Sequence, residues 1–243
     1  MKILITGSNG NLARKLAKHL VQRGHSVEGI DIGMINENAS VSVYSKVDLR
    51  QPNELLGYIK ALNPTQIPAV LINAAAIDSV PEFGAKSDPF DFESFDDIMH
   101  VNLRGPVVLT REIGNLWKNL GSKGVIINIS SIYSALSPDP EVYDAGFIKN
   151  VLYGASKAAL DSLTRQSATI YARYGIRVNS IQMAGFSSPV HSQRFVEKIS
   201  MKYVTQKMMN IESLFCAVDY LIDENNHDAV GMMLRIDGGY SLI

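Results

Sequence analysis

Short apolar runs rich in β-branched residues alternate with longer segments of helical period along this 243-residue chain. The runs at 69–76 and 124–130 contain the strings VLIN and VIINI, which are apolar at successive positions rather than at every second one. A strand that is apolar on both faces is typical of a parallel sheet with helices packed on each side. The alternation therefore predicts an α/β protein with a doubly wound, seven-stranded parallel sheet.

The boundaries of the elements follow from the different periodicities of strands and helices. Strands are expected at 2–6, 26–32, 41–49, 69–76, 124–130, 176–183 and 231–239. Helices are expected at 11–24, 51–62, 93–118, 152–173 and 211–222. No repeat or linker interrupts the pattern and the length suits one α/β unit, so we interpret residues 1–243 as a single domain.

Charge and cysteine content exclude several classes of protein. The formal net charge is −1, so no basic surplus indicates nucleic acid or an acidic membrane surface as a partner. The opening run MKILITG is too short for a signal peptide or a transmembrane helix, and a cytoplasmic protein is expected. Cys216, the only cysteine, is expected to be a reduced, buried thiol. The five histidines show no HxxxH spacing and no cysteine partner, so no metal site is predicted.

A glycine-rich loop, TGSNGNLA at 6–13, follows the first strand and leads into a helix. Glycines allow a tight turn and a close approach to a pyrophosphate, and the helix N-terminus supplies free N–H groups. The alternative is an ordinary turn between a strand and a helix. The candidate cofactor-binding residues of the loop are Gly7, Asn9, Gly10, Asn11 and Leu12.

Asp31 closes the second strand, where a carboxylate can accept hydrogen bonds from both hydroxyls of an adenosine ribose. The same charge would repel a 2′-phosphate, and neither Ser8 nor Asn9 supplies an offsetting cation, so NAD(H) is favoured over NADP(H). The alternative is that Asp31 caps a turn. Later strand ends extend the candidate cofactor site, with loop capping as the alternative: Asp48, Leu49, Asn73, Ala74 and Ala75.

Tyr153 and Lys157 are four residues apart in a run of helical period, so they share one helix face. A nearby ammonium stabilises a phenolate and lowers the tyrosine pKa from about 10, which suits an acid or base for carbonyl–alcohol chemistry. Neither Tyr133 nor Tyr143 has a lysine at this spacing. The alternative is an amphipathic surface helix with an incidental pair.

Eight motifs occur in one order over the whole chain: TGSNGNLA, Asp31, NAAA, HVNLRGP, NISS, YGASK, IRVNSI and IDGGY. This order resembles the compact branch of the short-chain dehydrogenase/reductase family. The resemblance implies a Rossmann-type fold and an NAD(H)-dependent enzyme that interconverts a secondary alcohol and a ketone. It also implies a homo-oligomer, a dimer or tetramer, that associates through the helices at 93–118 and 152–173.

The resemblance further implies a catalytic tetrad, which on this chain is Asn102, Ser131, Tyr153 and Lys157. Ser131, rather than Ser130, would hydrogen-bond the substrate oxygen, and Tyr153 would exchange the proton. Lys157 would lower the tyrosine pKa and bind the nicotinamide ribose, and Asn102 would hold a water in a proton relay. An interior amide satisfied by backbone groups is the alternative for Asn102.

Two features depart from the family pattern. The string NSIQMAGFSSP at 179–189 lacks Pro-Gly, which puts in question the nicotinamide contacts expected at Phe186 and Ser188. The long gap between Ser131 and Tyr153 is similar to the sugar-nucleotide epimerase and dehydratase branch, although the chain after Lys157 leaves little room for a substrate domain. A dinucleotide-sensing regulator without catalysis is a further alternative.

The segment between Ser131 and Tyr153 is expected to shape the substrate pocket, and Tyr143 is expected to pack in that pocket. The string SSIY followed by PD is similar to oxidoreductases of bacterial surface-sugar and nonulosonic-acid pathways, so a sugar-derived substrate is one candidate. Residues 186–210 are predicted to form a substrate lid. Its cations either face an anionic substrate or belong to an ordinary charged surface: Arg194, Lys198, Lys202 and Lys207.

Overall fold

The computed structural model describes residues 1–34, 40–62, 67–78, 88–143, 147–188 and 191–242. In these residues seven strands form one sheet: β1 (Lys2–Thr6), β2 (Ser26–Asp31), β3 (Val43–Lys46), β4 (Val70–Asn73), β5 (Gly124–Ser131), β6 (Ile176–Met183) and β7 (Met233–Ile236). Their order is β3-β2-β1-β4-β5-β6-β7, and every neighbouring pair is parallel. The predicted fold is confirmed, and the strand order reverses between β1 and β4.

Seven α-helices in the described ranges join these strands: α1 (Asn11–Gln22), α2 (Pro52–Ala61), α3 (Phe95–Met99), α4 (Gly105–Leu120), α5 (Val151–Tyr171), α6 (Gln193–Ser200) and α7 (Ile211–Ile222). The single helix expected at 93–118 is interrupted, because a π-helical turn at His100–Arg104 joins α3 to α4. No helix was expected where α6 lies, and side-chain capping explains its start. The Ser192 hydroxyl accepts a hydrogen bond from the backbone N–H of Phe195.

The sheet separates two hydrophobic cores, which explains why its strands are apolar on both faces. Ile3 and Ile5 lie in the core that contains buried residues of α1 and α7. Leu4, between them on the opposite face of β1, lies in the core that contains residues of α2, α4 and α5. Each such side chain is fully buried and contributes about 1.5–3 kcal/mol through its burial.

Cys216 is exposed, so the expectation of a buried thiol was wrong. The buried face of α7 is formed by Leu214, Ala217, Val218 and Leu221, and Cys216 lies outside that stripe. The apolar composition of α7 suggested burial on every side, whereas only one face packs on the sheet. None of the helices in the described residues has the length and hydropathy needed to span a membrane.

Candidate functional site

A cleft of about 810 Å³ opens at the carboxyl ends of the strands, where the strand order reverses. Ligands of doubly wound sheets bind at this edge. Most predicted site residues line it: Gly7, Gly10, Asn11, Leu12, Asp31, Asp48, Leu49, Ala74, Ala75, Ser131, Tyr153, Lys157, Phe186 and Ser188. Asn9, Asn73 and Asn102 are not among the described residues that form its wall.

The glycine loop presents bare backbone to the cleft. Gly7 has φ +68°, and a Cβ atom added there would lie 2.7 Å from the Cα of Ala75, so no other residue fits without strain. The Thr6 hydroxyl accepts hydrogen bonds of 3.0 Å from the N–H groups of Ala74 and Ala75, which ties the end of β4 to the loop. α1 begins behind the loop with no side-chain cap and no acidic residue in its first turn. This arrangement fits the phosphates of a dinucleotide.

Asp31 lies in the cleft at the end of β2 with its carboxylate held in place. One oxygen accepts the N–H of Asn9 at 3.0 Å, and the other accepts the N–H of Gly33 at 3.0 Å. The Asn9 side chain turns away and donates to the carbonyl of Met34. Asn9 therefore contributes a backbone group that orients Asp31, rather than a side chain in the cleft.

Asp48 carries a partner that the sequence reasoning missed. Arg50 also lines the cleft, and its guanidinium bonds both oxygens of Asp48 at 3.0–3.1 Å and Asp97 at 2.7 Å. Burial alone would raise the pKa of Asp48, but the hydrogen bonds from Arg50 hold that pKa below its ordinary value. Two carboxylates thus balance Arg50. An Asp-x-Arg spacing at a strand end was the available signal.

The side chains of Asn73 and Asn102 point into the protein interior. The amide of Asn73 donates to the side-chain oxygen of Asn128 at 2.7 Å and joins β4 to β5. The Asn102 side chain accepts from the N–H of Ile77 at 2.7 Å and donates to the carbonyl of Ile77 and the hydroxyl of Ser156. Asn73 therefore does not present its side chain to the cleft, and its expected contact with the cofactor stays a prediction. The Asn102 side chain bonds both backbone groups of Ile77, as in the alternative in which it is an interior amide satisfied by the backbone.

Ser131, Tyr153 and Lys157 meet in the cleft. The Ser131 hydroxyl hydrogen-bonds the Tyr153 side chain, whereas that of Ser130 faces the carbonyl of Lys157 at 3.4 Å. The ammonium of Lys157 donates to the carbonyl of Ile129 at 2.8 Å and lies 5.6 Å from the centre of the Tyr153 ring. The structure therefore selects Ser131 over Ser130 as the serine beside the tyrosine.

The electrostatics of Tyr153 differ from the expectation based on spacing. Burial and the negative charge of Asp78 raise the pKa of Tyr153, and the hydrogen bond from Ser131 opposes this. Burial also lowers the pKa of Lys157 to about 8, so the ammonium is destabilised but still predominates at pH 7. Lys157 is not among the described groups that shift the pKa of Tyr153, and that pKa lies above its ordinary value rather than below it.

Three further polar residues line the cleft beside Tyr153 and were missed by the sequence reasoning: Asp78, Lys149 and His191. The ammonium of Lys149 bonds Asp78 at 2.7 Å and lies 4.9 Å from the centre of the Tyr153 ring. Asp78 closely follows the NAAA motif, and Lys149 stands next to the cap of α5. The position of Asp78 after the motif could have identified it as a cleft residue. Nothing in the sequence indicated that Asp78 pairs with Lys149, which is 71 residues away.

The segments at the cleft mouth bind each other. Lys202 bonds Asp139 at 2.7 Å, and Lys198 donates to the carbonyls of Glu141 and Tyr143. These two lysines therefore face the 137–143 stretch rather than a free anion site. Residues 144–146 and 189–190 of the predicted loop and lid lie outside the described residues.

Tyr143 is buried in the cleft wall, as predicted, and its ring packs against those of Phe147 and Phe195. Beyond β6, residues 183–186 line the cleft in place of Pro-Gly. Ser188 approaches from this side and accepts a hydrogen bond of 3.2 Å from the Asn11 side chain. The segment after β6 thus contacts the start of α1.

Comparison with known proteins agrees with this geometry. A family model described as short chain dehydrogenase matches residues 1–198. An uncharacterized oxidoreductase of Schizosaccharomyces pombe is 28% identical, with 98% of this chain and 89% of that protein aligned. L-xylulose reductase of Caenorhabditis elegans is 26% identical, with 99% and 95% aligned. A crystal structure of a short chain dehydrogenase from Leptospira borgpetersenii with bound NAD+ has a TM-score of 0.87 and 29% identity, covering 99% of this chain and 92% of that one.

Proposed function

The chain belongs to the short-chain dehydrogenase family and is an oxidoreductase of CH–OH groups, and from that premise we propose the residues and cofactor that it uses. It interconverts a secondary alcohol and a ketone with NAD(H). The observation that carries this proposal is the meeting of Ser131, Tyr153 and Lys157 in the cleft that the glycine loop also lines. A sugar-derived substrate is one candidate class, and the similarity to a reductase of L-xylulose supports it.

The cofactor site is formed by the bare backbone around Gly7 and the free N–H groups at the start of α1. When bound there, a nicotinamide dinucleotide supplies or accepts the hydride. Asp31 binds the hydroxyls of the adenosine ribose and excludes a 2′-phosphate, which favours NAD(H) over NADP(H). Arg50 does not reverse this preference, because Asp48 and Asp97 balance its charge.

Tyr153 holds the proton that passes to the ketone oxygen, and it takes that proton back in the direction of alcohol oxidation. Ser131 positions the same oxygen through its hydroxyl. Lys157 lies behind the tyrosine ring and binds the cofactor ribose. The elevated pKa of Tyr153 keeps the phenol protonated, so it is ready to donate at neutral pH.

The test compares Tyr153→Phe with a matched control, Tyr171→Phe, whose hydroxyl contacts the backbone of Arg111 outside the cleft. NADH oxidation is followed with a panel of ketones. Tyr153→Phe is expected to lower turnover by about 10²–10⁴-fold, the usual contribution of a general acid, while it still binds NADH. Tyr171→Phe is expected to keep its activity. Full turnover in Tyr153→Phe would show that another group transfers the proton.

Association through α4 and α5 is part of the same proposal. Both helices expose large apolar side chains: Val107, Leu120, Val151 and Ile170. Burial of these side chains between copies of the chain would stabilise a dimer or tetramer. Light scattering of the purified protein tests the assembly, and a monomer at micromolar concentration would contradict it.

A further inference from the structure

Two unpartnered polar atoms belong to residues of the cleft that Tyr153 also lines. In the described part of the chain, six buried side-chain atoms lack a hydrogen-bond partner, and only Oδ1 of Asp78 and Nδ1 of His191 belong to residues that line the cleft. Leaving a buried polar atom unpaired is unfavourable, so such atoms in a binding site indicate a ligand group that completes them.

The other oxygen of Asp78 is already bound. It accepts a hydrogen bond of 2.7 Å from Lys149, and the two side chains are only 33% and 11% exposed. We call them the Asp78–Lys149 pair. The Lys149 ammonium lies 4.9 Å from the ring centre of Tyr153 and 5.4 Å from that of Tyr133. The pair is therefore adjacent to the proposed position of the reacting oxygen.

The charges of the pair restrict what it can bind. Because the two charges of the pair cancel, it offers no net attraction to a carboxylate, a phosphate or an ammonium. A neutral hydroxyl fits both partners, because it donates to the free oxygen of Asp78 and accepts one of the remaining protons of Lys149. Lys198 and Lys202 do not change this balance, since both already bind the 137–143 stretch.

The surrounding walls match a substrate that is polar at its hydroxyls and apolar at its C–H groups. The His191 ring packs at a tilt against Phe195, with the ring centres 5.1 Å apart, and Phe195 also packs on Tyr143. Burial and the charge of Lys149 lower the pKa of His191, so its ring is neutral at pH 7 and Nδ1 can donate or accept according to its tautomer. Aromatic rings and neutral hydrogen-bonding groups thus enclose the same space.

We propose that the Asp78–Lys149 pair binds a hydroxyl on the carbon next to the reacting carbon, and that His191 receives a second hydroxyl. The substrate class is then α-hydroxyketones and the corresponding vicinal diols, including sugar-like polyols. This inference rests on the proposed oxidoreductase function. In reduction, a bound NADH would supply hydride to the carbonyl carbon and become NAD+. Tyr153 donates its proton to the carbonyl oxygen and regains one from solvent, so the product is a diol and the bound hydroxyl is unchanged.

The experiment uses two probes that differ by one hydroxyl, 1-hydroxy-2-butanone and 2-butanone. Wild-type protein with NADH is expected to prefer the hydroxyketone by at least about 100-fold in kcat/KM, as for sites that hydrogen-bond a substrate hydroxyl. Asp78→Ala and Lys149→Met are each expected to lose most of that preference, because the rate with the hydroxyketone falls much further than the rate with 2-butanone. Lys149→Arg, which keeps the charge, is expected to retain part of it.

The control variant is Arg23→Met, which removes a cation from an exposed ion pair with Asp219 outside the cleft. It is expected to keep the wild-type preference, and circular dichroism checks that all variants are folded. Equal rates with the two ketones in wild-type protein would overturn the inference and leave the proposed function standing.

A binding measurement covers the case in which neither ketone is reduced. Saturation-transfer NMR compares 1,2-butanediol with 2-butanol on the wild-type protein in the presence of NAD+. Stronger binding of the diol, lost in Asp78→Ala, would support the inference even if turnover failed. Equal binding of the two alcohols would overturn it.

Discussion

At the scale of single residues, burial and neighbouring charge decide the chemistry of the tyrosine and the lysine more than their spacing does. The spacing of Tyr153 and Lys157 predicts that they share a helix face, and both line the cleft. It does not reveal Asp78, which raises the pKa of Tyr153, or the burial that lowers the pKa of Lys157. Those effects depend on groups distant in sequence.

Lys157 predicts a specific dependence of stability on pH. Its pKa is about 8 in the folded protein and 10.5 in its reference state, so the unfolded chain binds more protons between these values. The free energy of unfolding of the wild type, relative to Lys157→Met, should therefore rise from pH 8 to pH 10.5, by about 3 kcal/mol. Urea unfolding across this range measures it. A constant difference would mean that Lys157 has an ordinary pKa.

Asp31 predicts the choice of cofactor. Asp31→Asn keeps one acceptor oxygen, enough for one of the two N–H groups of Asn9 and Gly33, and removes the charge that repels a 2′-phosphate. The ratio of kcat/KM with NADPH to that with NADH should rise about tenfold, which corresponds to about 1.4 kcal/mol. An unchanged ratio would show that Asp31 only holds the loop.

At the scale of elements, the apolar periodicity at 93–118 does not predict the π-helical turn between α3 and α4. Apolar spacing predicts a continuous helix at 93–118, but the π-helical turn at His100–Arg104 shifts the register of the hydrogen bonds. Asn102 consequently faces Ile77 and Ser156 in the interior. α3 packs on α5, and α4 packs on α5 and the sheet, so these helices contact segments distant in sequence that periodicity does not encode.

At the mouth of the cleft, the contact between the segment after α6 and the 137–143 stretch leads to a prediction about substrate binding. Lys202 on the segment after α6 bonds Asp139, and this bond holds the pKa of Asp139 below its ordinary value. The pair is partly exposed and screened by solvent, so Lys202→Met should change the free energy of unfolding little. It should raise KM for the ketone several-fold and leave NADH affinity unchanged. A matching loss of NADH affinity, measured by fluorescence titration, would indicate a general structural role.

At the scale of the whole molecule, the cofactor site spans both halves of the sheet. Residues from β2 to the segment after β6 line one cleft, so a ligand there contacts elements on both sides of the strand-order reversal. Binding should therefore stabilise the entire fold rather than one part of it.

NADH at 100 times its dissociation constant should stabilise the protein by about 2.7 kcal/mol. For a chain of this length that corresponds to a rise of about 5–10 °C in Tm. Differential scanning calorimetry should show one cooperative transition that moves as a unit, which also tests the prediction that residues 1–243 form a single domain. Two transitions, of which NADH moves one, would contradict it.

The sequence by itself determined the sheet, its strands to within a few residues, the glycine loop and the pairing of Tyr153 with Lys157. These features depend on local periodicity and on short motifs, which involve residues that are close together in the sequence. Tertiary structure alone decided that Cys216 is exposed, that Asn73 and Asn102 face inward, and that Asp78 and Lys149 meet beside Tyr153. Such contacts join residues far apart in the chain, and their burial and charge exist only after the sheet has brought the segments together.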